Sequence, residues 1–404
     1  MATPSLKFKR LVNAPPAEVY RAFTHPTALR DWCCAVAEVD ARKGGRLYMG
    51  WDSGFQATGE FTALDPGKNI AFTWNGIHEP APARVQVTFK PKNSGTLVTL
   101  THAGIGSGKK WAATVHAIQA GWSEGLENLQ SVLETGVDLR IARLPRLGIF
   151  IDDFNADIAA RLGVPVKQGI RLAGVADGTG AQAAGLQKDD VLVRLSGKKV
   201  ADFPSLARAL QGKHAGDKVP VVFHRGGAKK TVPLELSRRP PPNVLPLAEL
   251  VETVRKTYTD LNAELAAMVE GLSDAQAGHR PAPEAWSVND AVAHFILCER
   301  DFQSWVAQMV NDREVGDDLE FRPNIMPRIR ALVERCVTLA ALIDELKLSQ
   351  AETVAMLVSL PPELVARKHV YQRAASWMLD VVPSHYREEH FGLMREAIEA
   401  ASRQ

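Results

Sequence analysis

The sequence predicts a multidomain α+β protein of three modules in series: a curved antiparallel sheet wrapped around one long helix, a β-rich module, and a four-helix bundle. Three observations predict this organisation. Alternating apolar residues followed by one long helical stripe occupy the first third, and short strand-like segments around one helix occupy the middle. An apolar period of three to four residues runs through the last third. A chain of 404 residues also exceeds one ordinary hydrophobic core.

The clearest module boundary is the proline-rich segment 238–246, because consecutive prolines favour extended backbone and end helices. A softer boundary follows a long predicted helix that ends near residues 134–136. We therefore expect modules over residues 1–138, 145–238 and 247–404.

Composition excludes several classes of protein. The sequence has no apolar run of the roughly 18 residues that a transmembrane helix needs, and its first ten residues lack the apolar core of a signal peptide. The four cysteines include the adjacent pair Cys33 and Cys34 and form no disulfide framework. We therefore expect a cytoplasmic protein with reduced, buried thiols and no membrane contact.

The charge is unevenly distributed. Residues 139–243 carry 18 basic and 9 acidic residues, whereas residues 244–404 carry 16 and 25. Opposite charges of this size attract each other, either within one chain or between copies of the chain, so the sequence allows a homo-oligomer. The basic residues are scattered without aromatic neighbours, and we therefore expect no nucleic-acid partner.

The first module is predicted to begin with two short helices over residues 17–32, broken at Pro26. Strands with alternating apolar residues follow, separated by turns at Gly44-Gly45, 65–67 and 92–95. One apolar stripe then predicts a long helix: Val115, Ile118, Trp122, Leu126, Leu129 and Leu133.

Several marks in this module resemble the START-like (SRPBCC) superfamily, in particular the branch related to the activator of the heat-shock-protein-90 ATPase. They are Gly44-Gly45, the run 59–66 leading to 72–74, and Gly121-Trp122. The resemblance implies a helix-grip fold over about residues 5–138 with an apolar cavity, used for a small ligand or for chaperone contacts. The candidate lining residues are Trp51, Phe72, Trp74, Phe89 and Trp122. The alternative is that these aromatics are ordinary core, and His78, His102 and His116 are expected at the surface.

The second module resembles a PDZ domain of the bacterial, protease-associated (HtrA-like) type, from Leu147-Gly148-Ile149 through the runs 183–192 and 216–226. The resemblance implies that a peptide or protein C-terminus pairs as an extra strand beside Ile149, with its carboxylate on the backbone of residues 147–149. Leu206 and Leu210 are the candidate pocket residues. The alternative is a spacer that docks internally.

One position departs from that family's pattern. Where its members have Gly-Asp, this chain has Asp189-Asp190, and we predict that Asp189 adopts the left-handed conformation.

The third module is helical throughout. Four apolar stripes predict a four-helix bundle. They centre on residues 250–268, 292–305, 329–343 and 377–398. Trp286-Ser287 ahead of a helix with His294, and a late helix with His385 and His390, resemble the DinB-like bundle family over about residues 245–402. The resemblance implies one divalent metal held by three histidines, two of them four residues apart on the last helix, and in some members a thiol-transferase or isomerase activity.

Here the last two histidines are five residues apart, which leaves about 140° between them on a regular α-helix. Three hypotheses follow. The ligands are His294, His385 and Glu389, because residues four apart share a face; or a π-bulge lets His385 join His294 and His390; or the metal site is absent and these are core and surface histidines. Zn²⁺, Fe²⁺ and Ni²⁺ all suit histidine and carboxylate ligands with an open position.

The preferred interpretation is a non-catalytic binding or chaperone-associated protein that holds a small apolar ligand or a client and captures a peptide. The alternative is a metal-dependent thiol S-transferase or hydrolase in the bundle, with Glu299 or Glu389 as a candidate base.

Overall fold

The computed structural model describes residues 5–240, 244–313 and 325–403, so the predicted linker 238–246 lies partly outside the described residues. The chain divides into two compact units. One contains Met1–Val137 together with Pro242–Gln404, and the other is Asp138–Pro241. The predicted first and third modules therefore share one unit, and the β-rich module is a unit of its own.

The first module is a seven-stranded antiparallel sheet in the order β1-β7-β6-β5-β4-β3-β2. Its strands are β1 (Ser5–Val12), β2 (Val36–Val39), β3 (Arg46–Gly50), β4 (Gln56–Asp65), β5 (Asn69–Gly76), β6 (Ala83–Lys92) and β7 (Gly95–Ala103). Alternate residues on the strands are buried, as the period of two predicts. This face of the sheet forms the core of the module.

Three helices complete the first module: α1 (Pro16–Thr24), α2 (Pro26–Trp32) and α3 (Lys109–Thr135). Pro16 and Pro26 each begin a helix, where the missing N–H has no intrahelical partner to lose. Helix α3 ends at Gly136, whose φ of 79° closes the helix in the left-handed conformation. Its buried residues include Trp122, Leu126 and Leu129, which pack on the sheet and confirm the predicted helix-grip arrangement.

The second unit carries a sheet in the order β13-β12-β10-β9-β8, with β11 paired to β10. Its strands are β8 (Ile149–Asp152), β9 (Ile170–Val175), β10 (Val191–Leu195), β11 (Lys198–Lys199), β12 (Lys218–Arg225) and β13 (Ala228–Glu235). Its helices are α4 (Leu139–Ala142), α5 (Ala156–Leu162), α6 (Gly180–Ala183) and α7 (Phe203–Leu210).

The Asp189-Asp190 pair adopts the predicted conformation. Asp189 has a φ of 69°, and its carboxylate accepts a 2.8 Å hydrogen bond from Arg171. Asp190 is fully buried and pairs with Arg225 at 2.7 Å. The ion pair with Arg171 offsets part of the cost of a left-handed residue that has a Cβ atom.

The bundle is formed by the helices α8 (Leu247–Val269), α9 (Asp274–Ala277), α10 (Val288–Val310), α11 (Ile325–Cys336), α12 (Leu339–Val358), α13 (Pro362–Ala366), α14 (Lys368–Ser376), α15 (Val382–Ser384) and α16 (Phe391–Ala401). Among the described residues, no helix is both long and apolar enough to cross a membrane.

The predicted third stripe, residues 329–343, is not one helix. It breaks at Val337, which has a φ of 52° and is 76% exposed. Thr338 then caps α12, because its side chain accepts the backbone N–H of Ala341 at 3.2 Å. A local capping interaction therefore overrides the apolar period at this point.

The last part of the bundle is not a regular α-helix either. Trp377–Val381 and His385–His390 are π-helical and flank the short α15. Hydrogen bonds in a π-helix join residues five apart, so two residues with that spacing lie on nearly the same face of the helix. His385 and His390 have that spacing.

Within their shared unit, the contacts between the first module and the bundle include two groups among the described residues. At the end of α3, Gln372 donates to the carbonyl oxygen of Thr135 at 2.7 Å, and His369 Nδ1 lies 2.8 Å from that of Gly136. At the end of α10, the carboxylate of Asp312 binds several side chains of the other module and of the bundle. Its partners are Arg21, His25, Thr27 and Arg367.

Candidate metal centre and binding surfaces

The N-terminus of α10 is fixed by a capping box. Ser287 accepts the backbone N–H of Asp290 at 3.1 Å, and the Asp290 carboxylate accepts the N–H of Ser287 at 2.9 Å. Arg280 holds the same carboxylate with two 2.9 Å bonds. This cap positions the first turns of the helix, including the buried His294, against the core.

Three donor atoms from two helices converge beside this helix. His294 and Cys298 are four residues apart on α10 and share a face. The Nε2 atoms of His294 and His385 are 2.9 Å apart, and Cys298 Sγ lies 3.5 Å from the former and 3.7 Å from the latter.

The two sulfur-to-nitrogen separations fit one tetrahedral ion. Bonds of about 2.05 Å to nitrogen and about 2.3 Å to sulfur place two nitrogens about 3.4 Å apart and a nitrogen and a sulfur about 3.6 Å apart. The two observed sulfur-to-nitrogen distances bracket that value, and the nitrogen pair is about 0.5 Å closer than an ion would hold it. The donor set also has the chemistry of a zinc or other transition-metal site.

Glu389 orients His385 from the opposite side of its ring. Its Oε2 lies 2.8 Å from His385 Nδ1, four residues earlier. A carboxylate at Nδ1 fixes the tautomer that leaves Nε2 as the ligand atom. The same Glu389 also belongs to a second potential ligand group, with His385 and His390.

His390 completes the cluster. Its ring centroid lies 4.4 Å from that of His385 and 4.8 Å from that of His294, and it stacks on Trp286 with only 4° between the planes. Both of its ring nitrogens are buried without a hydrogen-bond partner in the protein. Burial lowers the pKa of His390 to about 4, so the ring is neutral, the form that binds metal.

A buried carboxylate lies next to the cluster. Glu299 accepts 2.7 Å hydrogen bonds from Tyr258 and Thr353, and burial raises its pKa. It lines a cavity of about 40 Å³ together with Cys298 and His385. That volume has room for water.

The sequence named His294, His385, Glu389 and His390 as candidate ligands and placed Cys298 among the reduced, buried thiols, whereas the structure leaves Cys298 partly exposed. The spacing of His294 and Cys298, four residues apart on one helix, was the signal that could have found it.

The first module contains a cavity of about 550 Å³ between its sheet and α3, within the range of small-molecule sites. Trp51, Trp74 and Trp122 lie on its wall. Phe72 and Phe89 are buried in the core instead. Of the five predicted aromatics, three therefore line the cavity, and two of these, Trp74 and Trp122, also belong to the buried core.

The expectation of a surface position is wrong for His102. This residue is fully buried, and its Nδ1 accepts a 3.0 Å hydrogen bond from Trp122 Nε1. Burial lowers the pKa of His102 to about 4. Its position on β7, with its side chain on the inner face of the sheet, accounts for the difference.

In the second unit, β8 is at the edge of the sheet, where a peptide strand could pair. Gly148, directly before it, has a φ of 83°. Leu147 and Leu206 are buried in the core of the unit, and Leu210 is partly buried against it. Phe150 on β8 is 48% exposed.

Comparison with known families divides the chain in the order that the sequence predicts. Residues 13–134 match the family described as Activator of Hsp90 ATPase homolog 1-like protein, residues 145–236 the PDZ domain family, and residues 257–392 the DinB superfamily. The chain therefore contains an Aha1-like START module, a PDZ domain and a DinB-like domain, which confirms the three resemblances and the fold class.

Curated relatives match parts of the chain. An Activator of 90 kDa heat shock protein ATPase homolog 1 from Mus musculus is 32% identical over 105 residues, 26% of this chain and 30% of that protein. A probable periplasmic serine protease do/HhoA-like from Haemophilus influenzae is 27% identical over 143 residues, 35% of this chain and 29% of that protein. This chain thus spans less than a third of the length of either relative.

Among solved structures, an HSP90 activator from Plasmodium falciparum is 27% identical to this chain. The match covers 32% of this chain and 95% of that one, with a TM-score of 0.29.

Proposed function

We propose that this protein is a multidomain binding protein whose DinB-like bundle holds one divalent transition-metal ion through His294, Cys298 and His385. Its START-like cavity would hold a small apolar ligand or contact a chaperone, and its PDZ domain would capture a peptide C-terminus. The observation that carries the metal site is the convergence of two imidazole nitrogens and one thiol sulfur within 3.7 Å of one another.

The neighbouring residues suit this role. Glu389 fixes the ring of His385, and His390 offers a further buried nitrogen beside the cluster. A bound ion would supply Lewis-acid activation of a water or thiol. The adjoining cavity of about 40 Å³ is far below the roughly 300 Å³ at which ligand pockets begin, which favours binding over turnover of a sizeable substrate.

Elemental analysis of the purified protein tests the site. We expect about one equivalent of Zn, Fe or Ni, lost in His294→Ala and retained in His279→Ala, a bundle histidine outside the cluster. Metal-free wild-type protein that also fails to bind added Zn²⁺ would overturn the proposal.

The thiol ligand has its own spectroscopic test. Cobalt(II) bound to a thiolate shows a near-ultraviolet charge-transfer band, which we expect in wild type and in Cys336→Ser. The band should disappear in Cys298→Ser, and its survival there would remove Cys298 from the ligand set.

The alternative function, a metal-dependent thiol S-transferase or hydrolase, is favoured by one observation, the buried Glu299 beside Cys298. Turnover of a thiol adduct or ester that depends on both metal and His294 would replace the binding function with this activity.

Peptide capture by the PDZ domain rests on the edge position of β8. We expect peptides with a free C-terminal carboxylate to bind and to lose affinity when that carboxylate is amidated. Equal binding of both forms would mean that the chain end is not recognised.

We propose a cytoplasmic location, because four cysteines that form no disulfide suit a compartment that keeps thiols reduced. Recovery of the native protein in a periplasmic or secreted fraction would contradict it.

A further inference from the structure

The cavity of the first module has an aromatic wall. The ring centroids of Trp51 and Phe55 are 5.3 Å apart, and those of Trp74 lie 6.3 Å and 6.5 Å from them. Trp122 adds a fourth ring, 5.6 Å from Trp74. All four side chains line the same cavity of about 550 Å³.

The polar edges of the three indoles are already bound to protein acceptors. Trp51 Nε1 donates to the carbonyl oxygen of Cys33 at 2.6 Å, and Trp122 Nε1 donates to His102. Trp74 Nε1 donates to Glu79 Oε1 at 3.2 Å. These N–H groups are therefore already paired, and the rings can attract a cation through their faces, where the quadrupole is negative.

Glu79 places a carboxylate group at this cavity. Glu79 lines the cavity, and its Oε2 is buried without a hydrogen-bond partner in the protein. A buried carboxylate oxygen without a donor is costly, and a ligand N–H that reached it would remove that cost. The hydrogen bond from Trp74 to Oε1 holds the carboxylate group next to one of these rings.

We infer that the cavity binds an organic ammonium ion: an apolar body in the cavity, and a protonated amine that pairs with the Glu79 carboxylate while it lies against the tryptophan rings. This inference rests on the proposed ligand-binding role of the cavity and names its ligand class. A fatty acid or other anion fits poorly, because Glu79 would repel its head group. A neutral chain would bury its apolar part but leave the carboxylate oxygen unpaired.

Three probes with the same ten-carbon chain separate these cases: decylammonium, decanol and decanoate. Binding is followed by tryptophan fluorescence of the full chain at pH 7, below the concentration at which any probe forms micelles. We expect decylammonium to bind roughly tenfold or more tightly than decanol, as a charge-assisted hydrogen bond adds to the shared apolar contact.

Glu79→Gln is the decisive variant, because the amide oxygen can still accept from Trp74 while the charge is removed. We expect it to bring decylammonium to about the affinity of decanol and to leave decanol unchanged. Glu124→Gln, an exposed residue on α3, is the matched control and should behave as wild type. An unchanged unfolding temperature confirms that the Glu79 variant is folded.

The outcomes are distinct. Equal affinity for all three probes, or a charge preference that survives in Glu79→Gln, overturns the ammonium inference but leaves a ligand-binding cavity. Failure of every probe to bind wild type overturns the ligand-binding role itself.

Discussion

Asp312 provides a sharp test of how the first module and the bundle are held together. It follows α10 in the bundle, and its carboxylate binds Arg21 of α1 and Arg367, the latter at 3.0 Å. It also accepts a 3.0 Å hydrogen bond from Thr27. The perturbation is Asp312→Ala, which leaves both guanidinium groups without this partner.

The magnitude follows from burial. The side chains of Asp312, Arg21 and Arg367 are 26%, 30% and 19% exposed. Removing one partner of a fully buried ion pair costs about 3–5 kcal/mol, and partial exposure reduces that value. We expect the free energy of unfolding to fall by about 2–3 kcal/mol.

Tryptophan fluorescence during urea denaturation is the suitable assay, because all eight tryptophans lie outside residues 138–241 and report only the unit that contains this contact. A double-mutant cycle with Arg21→Ala should give a coupling energy of about 1–2 kcal/mol. Asp260→Ala, which removes an exposed partner of Lys256 on α8, should cost about 0.5 kcal/mol or less. Coupling of zero within error, or a loss no larger than that of the control, would refute the reasoning.

Three further outcomes are expected. Burial lowers the pKa of His102 from 6.5 in the unfolded chain to about 4 in the folded protein. Between these two pH values the unfolded chain binds more protons than the folded protein. The folded protein therefore loses stability as the pH falls from 6.5 to 4. In His102→Gln, the free energy of unfolding from urea denaturation should therefore fall by up to about 3 kcal/mol less between pH 6.5 and pH 4 than in wild type, and an equal fall would contradict this. Asp312→Asn should lose less stability than wild type as the pH falls below 3.8. The reason is that, despite burial of the carboxyl group, Arg21 lowers the pKa of Asp312 in the folded protein. Equal acid sensitivity of the two proteins in urea titrations would contradict this prediction. Gly148→Ala should lower the calorimetric unfolding temperature of the PDZ unit more than Gly212→Ala. Both glycines have a positive φ, but only a Cβ atom at residue 148 would lie 2.2 Å from Thr179 Oγ1. Equal decreases in unfolding temperature would show that this contact is relieved without cost.

Local patterns in the sequence determined most of the fold. Alternating apolar residues predicted the strands of the first sheet, Pro26 divided the first two helices, and the stripe through Trp122 predicted α3. Asp189 was predicted in the left-handed conformation because it occupies a glycine position in the PDZ pattern, and its φ of 69° agrees. Each of these depends on residues a few positions apart, which is the range that a sequence pattern reports.

The candidate sites depend on longer distances. The sequence supplied the wall residues of the cavity but could not separate Trp74, on the wall, from Phe72, in the core two residues away on the same face of β5. It did not name Cys298 as a ligand, since nothing in its own helix shows that His385 approaches it from 87 residues away. No pattern in the sequence predicts that Glu79 Oε2 is buried without a hydrogen-bond partner.

By itself, the sequence determined three domain families and their order. It also showed that the metal site depends on whether the helix between His385 and His390 is a regular α-helix. Only the tertiary structure decided that this segment is π-helical and that its histidines meet His294. It also decided that the first module and the bundle share one compact unit. The physical reason is that an α-helix and a π-helix differ by one residue per hydrogen-bonded ring, a small local difference that packing against distant helices selects.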